Sequence, residues 1–138
     1  MFDIATEFGA SSVRRLKEEQ VIWFTTVRAD GMPQPTPVWY LWDGETFLIY
    51  SQPNAKKIHN LTHNPRVALN LNSDPEGGNV LVIFGQAHID PGAPPAHLNS
   101  AYLEKYREGI ADLNMSPENM SLEYSTAIRV KPEKMRTF

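Results

Sequence analysis

Residues 25–44, TTVRADGMPQPTPVWYLWDG, carry prolines at 33, 35 and 37 inside otherwise strand-forming sequence. Proline has no amide hydrogen to give to a ladder, so a strand containing Pro35 and Pro37 belongs at a sheet edge or stays locally unpaired. On either side, VIWFTTV from Val21 and the run ending in VWYLW are rich in β-branched and aromatic residues and flank Asp30-Gly31, a dipeptide suited to positive backbone dihedrals. They read as a hairpin. Asp43-Gly44 turns the chain again into ETFLIYS, where Phe47 and Ile49 face opposite to Leu48 and Tyr50. The first three strands read as a meander.

Short helices interrupt this β pattern. Residues 11–19 place Val13 and Leu16 on one helical face, behind a serine suited to capping. From Asn54 to His63, Ile58 and Leu61 recur at helical spacing and Asn64-Pro65 supplies the stop. RVALNLN from Arg66 alternates as a strand, while VLVIFGQAHI from Val80 begins apolar on both faces, the pattern of a central strand. A Pro and Gly-Gly turn over residues 74–79 joins them. A helix follows from Ala93 with Leu98, Tyr102 and Tyr106 on one side, and Ser116-Pro117-Glu118 opens another with proline at its favoured first position. STAIRVKPEKMRTF closes the chain as a strand. Six or so antiparallel strands with short helices in their connections define a mainly β (α+β) chain and favour a barrel over an alternating α/β sheet.

At 138 residues the chain fits one domain, 1–138, able to remove roughly two thirds of its surface from water. A net charge of -3 argues against a broad nucleic-acid footprint and leaves room for a local anion site. No cysteine is present, so disulfides, thiolate nucleophiles and zinc ribbons are excluded. The start MFDIATEFGA lacks the cationic and apolar regions of a signal peptide, and no apolar run approaches membrane-spanning length. A soluble cytoplasmic protein is expected, with neither nucleic acid nor membrane as partner.

Lys56 and Lys57 fall in the opening turn of a predicted helix, where partial positive charge and unpaired N–H groups disfavour cations. An anion reconciles them, with Ser51, Gln52 and Asn54 adding donors; a pair of solvated lysines is the other reading. The proline-interrupted strand, Pro35 to Trp39, has carbonyls suited to the polar rim of a flat heterocycle. Its alternative is a protected edge with Trp39, Tyr40 and Trp42 packed in the core or at a subunit interface. His59 and His63 stand four apart, but HNLTH has no neighbouring glutamate and no evident third metal ligand. Glu104, Glu108 and Asp112, with Lys105 and Arg107 among them, read as a solvated helix face. Arg129, Lys131, Lys134 and Arg136 make the last strand basic, either exposed or turned towards an anionic ligand. Neither a G-x-S-x-G elbow nor a P-loop occurs.

The motif DG-x-P-x-x-x-PVW at Asp30 to Trp39, YS-x-P-x-A-K-K-x-x-N-L at Tyr50 to Leu61, NPRVAL at Asn64 to Leu69 and the VLVIFGQA strand follow in one order. Together they resemble the flavin and deazaflavin oxidoreductases of the pyridoxamine 5'-phosphate oxidase-like superfamily, most of all its small coenzyme F-420 branch. The resemblance implies a split β-barrel homodimer with two cofactor clefts at the subunit interface. It implies that Pro37, Val38 and Trp39 border the cofactor ring beside Tyr50, and that Ser51, Lys56 and Lys57 hold phosphate.

FMN-binding relatives commonly carry basic residues along the second strand as well, and QPTPVWYLW contains none. Two lysines suit the singly charged phosphodiester of coenzyme F-420, a deazaflavin, better than the monoester of FMN, which stands as the alternative cofactor. The implied reaction is hydride transfer to a small conjugated acceptor, with the chemistry in the cofactor and its alignment in the protein. Tyr40 or Tyr50 is a candidate for protonating the product. Two other classes compete: a flavin- or tetrapyrrole-binding protein of the same fold without rapid turnover, and a small oligonucleotide-binding barrel, which the acidic charge disfavours.

Overall fold

The proline-bearing segment Pro33–Val38 is an edge strand, paired on one side only with Ile22–Val27 across the Asp30-Gly31 turn. The computed structural model describes residues 4–137, and side chains from residue 9. The elements are α1 (Ile4–Glu18), β1 (Ile22–Val27), β2 (Pro33–Val38), β3 (Leu41–Trp42), β4 (Phe47–Ser51), α2 (Lys56–His63), β5 (Arg66–Asn70), β6 (Leu81–Ile89), a short 3-10 turn (Ala96–Leu98), α3 (Ser100–Asp112), α4 (Pro117–Glu123) and β7 (Thr126–Thr137). All seven strands join one antiparallel sheet in the order β2-β1-β5-β6-β7-β4-β3.

Register places Pro33, Pro35 and Pro37 opposite Val27, Thr25 and Trp23. Because proline cannot donate, the ladder to β1 runs through Gln34, Thr36 and Val38, and the proline carbonyls point off the outer edge. That edge offers acceptors only.

β2 and β3 are opposite edges of the sheet, yet only Trp39 and Tyr40 separate them. Laid flat, seven strands at about 4.8 Å spacing would hold the edges about 29 Å apart. The link covers about 11 Å at full extension. The sheet therefore curls until its edges meet, giving a half-barrel split between β2 and β3. The expected meander is corrected here: the run from Pro33 to Trp42 is two strands, and β3 pairs with β4 rather than β2. This break raises the count from about six strands to seven.

Off the sheet, the link's polar groups need other partners. The Tyr40 amide donates to the Tyr106 hydroxyl at 2.8 Å, and the Lys105 ammonium donates to the Tyr40 carbonyl at 2.9 Å. The Trp39 indole stacks flat on Tyr106, with centroids 4.5 Å apart and planes 4° from parallel. α3 thus clamps the seam.

Inside the curl, Phe24, Leu69, Ile83, Val130, Phe47 and Ile49 form the main core. A second cluster outside it joins Leu48 and Tyr50 to Tyr102, Tyr106, Ile110 and Met120. β4 is accordingly buried on both faces, with Phe47 and Ile49 on one and Leu48 and Tyr50 on the other. β6 is central in strand order, but Phe84, Gln86 and His88 on its outer face are exposed, because α3 and α4 cover β4 instead. A bulge interrupts the β6–β7 pairing at Phe84/Gly85, and a Cβ on Gly85 would lie 2.2 Å from the Lys131 carbonyl oxygen. α1 begins at Ile4, well before the expected Ser11, and is kinked at Gly9, where φ is 83°. Among the described residues no helix is long and apolar enough to cross a membrane.

Candidate functional site

Two cavities adjoin the outer edge of β2. The larger, of about 490 Å³, takes Pro37, Val38 and Trp39 from the edge and link, Tyr50 and Gln52 from the end of β4, and Lys57 from α2. Its far wall is Tyr102, Met120 and Tyr124 from α3, α4 and the turn beyond. The smaller, of about 250 Å³, has Lys56, Lys57 and Thr36 at its sides and Thr26, Gln34 and Asn60 among its lining. Lys57 lines both.

The lysines occupy the first two positions of α2, as the sequence predicts. The helix has no side-chain cap at Ala55 and no acid in its first turn. Asn60 shares their face three and four residues on. It is buried, and its amide donates to Thr26 Oγ1 at 2.9 Å and Gln34 Oε1 at 2.8 Å, pinning α2 to β1 and β2. Burial lowers the pKa of Lys57, and among the described residues no carboxylate pairs with either lysine. A half-buried ammonium without a counter-charge is costly. Two ammonium groups, a hydroxyl and an uncapped helix start form a donor set for an anion.

Of the seven residues assigned to a cofactor site by resemblance, five line the larger cavity: Pro37, Val38, Trp39, Tyr50 and Lys57. Lys56 lines the smaller one. Ser51 lines neither; it is 1% exposed, faces inward with Phe47 and Ile49, and donates to the Gln52 carbonyl at 2.9 Å. Of the two tyrosines considered as proton donors, Tyr50 is hydrogen-bonded elsewhere and Tyr40 is buried out of reach. The Tyr50 hydroxyl donates to the Pro94 carbonyl at 2.6 Å and accepts from Asn99 at 3.0 Å, and burial raises its pKa. Tyr40 is fully buried, which raises its pKa well above the usual phenol range.

Other candidates resolve into ring contacts, ion pairs and exposed faces. The His59 and His63 rings meet edge to face, and among the described residues no group of three potential metal ligands forms. Arg129 is held by Asp90 at 3.1 Å and Asp43 at 3.6 Å, while Lys131, Lys134 and Arg136 are exposed. Glu104, Glu108 and Asp112 do form an exposed face, with Glu104 paired to Arg107. Lys105 leaves that face and turns beneath Tyr40. Sequence reasoning missed Asn60, Gln34 and Thr36, although the spacing of Asn60 from the two lysines was a usable signal. It also missed the α3–α4 wall, whose parts meet only in three dimensions.

An antiparallel half-barrel of this topology, with a cleft along its split edge, is the architecture of the flavin-binding split barrels, a fold found among oxidoreductases. The family model for pyridoxamine 5'-phosphate oxidase matches residues 11–138, and the chain belongs to that family. Among solved structures it is similar to an F420 reductase, with 26% identity over 89% of this chain and 94% of that one and a TM-score of 0.69. A FAD-binding protein from Mesorhizobium loti shares the fold at 19% identity, covering 91% of this chain and 89% of that one, TM-score 0.66. So does the heme storage protein HutZ from Vibrio cholerae, at 15% identity over 92% of each chain, TM-score 0.65. No curated protein matches the sequence significantly.

Proposed function

We propose that the protein is an oxidoreductase that holds coenzyme F-420 in the cleft beside β2 and delivers hydride to a small conjugated acceptor. The observation that carries this reading is Lys57 at the junction of an aromatic, ring-sized cavity and a smaller polar one. Pro37, Val38, Trp39 and Tyr50 border the deazaflavin ring, and Lys56 and Lys57 take its phosphodiester. Similarity to an F420 reductase supports the choice of cofactor. The second strand brings no arginine or lysine that a phosphate monoester such as that of FMN would call for.

When bound, the cofactor supplies the hydride. The chain's own part is orientation: β2 carbonyls grip the ring's polar rim, and the lysines fix the tail so that the ring keeps one register. No side chain is required as a nucleophile, and solvent at the open mouth protonates the product. The active form is a homodimer, with the uncovered outer face of β1, β5 and β6 against its twin.

Parallel titrations with coenzyme F-420 and FMN test the assignment. The expected outcome is preferential binding of coenzyme F-420, weakened in Lys57→Ala by about 1–3 kcal/mol, the scale of a charge-assisted contact. Equal affinity of the variant and the parent would remove Lys57 from the site. Anaerobic mixing of the reduced complex with enones and quinones then tests turnover; tight binding with no acceptor-dependent absorbance change would make the protein a carrier.

A further inference from the structure

Gly109 lies inside α3 with ordinary helical dihedrals, where glycine destabilises a helix relative to alanine and no positive φ calls for it. The reason is steric. A Cβ at this position would lie 3.0 Å from both Cη2 and Cζ2 of Trp39, and its third-nearest atom, Cζ3 at 3.9 Å, belongs to the same indole. The indole is backed by Tyr106, one turn earlier on the same helix, and lines the larger cavity. An indole pushed off α3 can move towards that cavity, which it lines.

We propose that Gly109, which does not itself touch the cavity, is a specificity-determining position: its missing side chain lets Trp39 lie flat on Tyr106 and so sets the width of the ring site. The inference rests on the reading of the larger cavity as a site for a planar heterocycle, and it deepens that reading by naming what limits ligand size. Each atom added at position 109 tilts the indole into the cavity and narrows the slot for a flat ring. The anion-binding cavity at Lys56 and Lys57 is not bordered by Trp39 and keeps its affinity.

The test uses the full chain as Gly109→Ala and Gly109→Val, each with and without Trp39→Phe, which removes the two indole atoms concerned. Fluorine NMR of fluorotryptophan-labelled, ligand-free protein comes first. The Trp39 resonance is assigned by its loss in Trp39→Phe and is expected to shift in Gly109→Ala, with those of Trp23 and Trp42 unmoved. Titration with lumiflavin, a ring without phosphate, and with coenzyme F-420 follows, using inorganic pyrophosphate as the anion control. Ring affinity is expected to fall about three-fold for alanine and about ten-fold or more for valine, with pyrophosphate unchanged and with no further loss from either Gly109 substitution in the Trp39→Phe background. Thermal stability of Gly109→Ala is expected to equal or exceed the parent's, separating the effect from misfolding. An unmoved Trp39 resonance overturns the steric link, and a moved resonance with unchanged ring affinity overturns the role in specificity. Failure of the parent protein to bind either ring is a different result, which overturns the cofactor reading itself. Should the valine variant not fold, the alanine variant alone decides.

Discussion

Lys105 holds its ammonium 3.7 Å from the centroid of the Tyr40 ring and donates to the Tyr40 carbonyl, while burial pulls its pKa down to about 8. The ring beneath it favours the charged form and works against that shift. With the folded pKa below the unfolded one, the unfolded chain binds more protons between about pH 8 and the ordinary lysine value near 10.5, so this group makes stability rise with pH across that window. Lys105→Met keeps the stem packed and removes the titration. The melting temperature of the parent minus that of the variant should climb between pH 7.5 and pH 9.5, a range of roughly two units around the lowered pKa. A flat difference would place the amine in water. Ser51 carries the complementary lesson at this scale. The two-residue alternation that sends Phe47 and Ile49 inward sends Ser51 with them, so its removal from the cleft was legible in the sequence.

At the scale of elements, legibility follows the range of the forces involved. The β1–β2 hairpin, the two faces of β4 and the lysine-led start of α2 are local, set by turn chemistry and side-chain period, and the structure keeps all three. The break at Trp39 and Tyr40 is not local. VWYLW is strand-forming throughout, and the partners that replace its ladder, Lys105 and Tyr106, stand over sixty residues away. The α3–α4 wall of the cleft escapes for the same reason. α2 falls between these cases, because its helical period was readable but the buried polar contact that seats it was not. Asn60→Ala leaves Gln34 and Thr26 short of a donor at the floor of the smaller cavity, with an expected loss of about 1–3 kcal/mol in urea unfolding. Pyrophosphate affinity should fall as well, since the same contact aims both lysines. Full stability in the variant would show that α2 seats without Asn60.

At the scale of the whole molecule, the outer face of the sheet is left without a covering layer over β1, β5 and β6. Paired register sets Pro35, Thr25, Ala68, Phe84 and Lys134 in one row and Pro37, Trp23, Asn70, Val82 and Arg136 in the next. Apart from Asn70 the middle of each row is small or apolar, the β7 end is cationic, and Phe84 is 42% exposed. A second copy laid on this face by a two-fold axis would cover it, and burial of roughly 800 Å² per chain is the usual scale of a stable interface. Because the outer edge of β2 borders both this face and the cleft, the twin would also wall the proposed cofactor site. Sedimentation of the parent at micromolar concentration should therefore give the mass of two chains. Phe84→Lys puts a second cation beside Lys134 in the middle of the contact and should shift the species to one chain, with weaker coenzyme F-420 binding. Near-unchanged circular dichroism in that variant would confirm that the fold survives separation. A parent that sediments as one chain while binding the cofactor fully would mean that the cleft is complete within a single half-barrel.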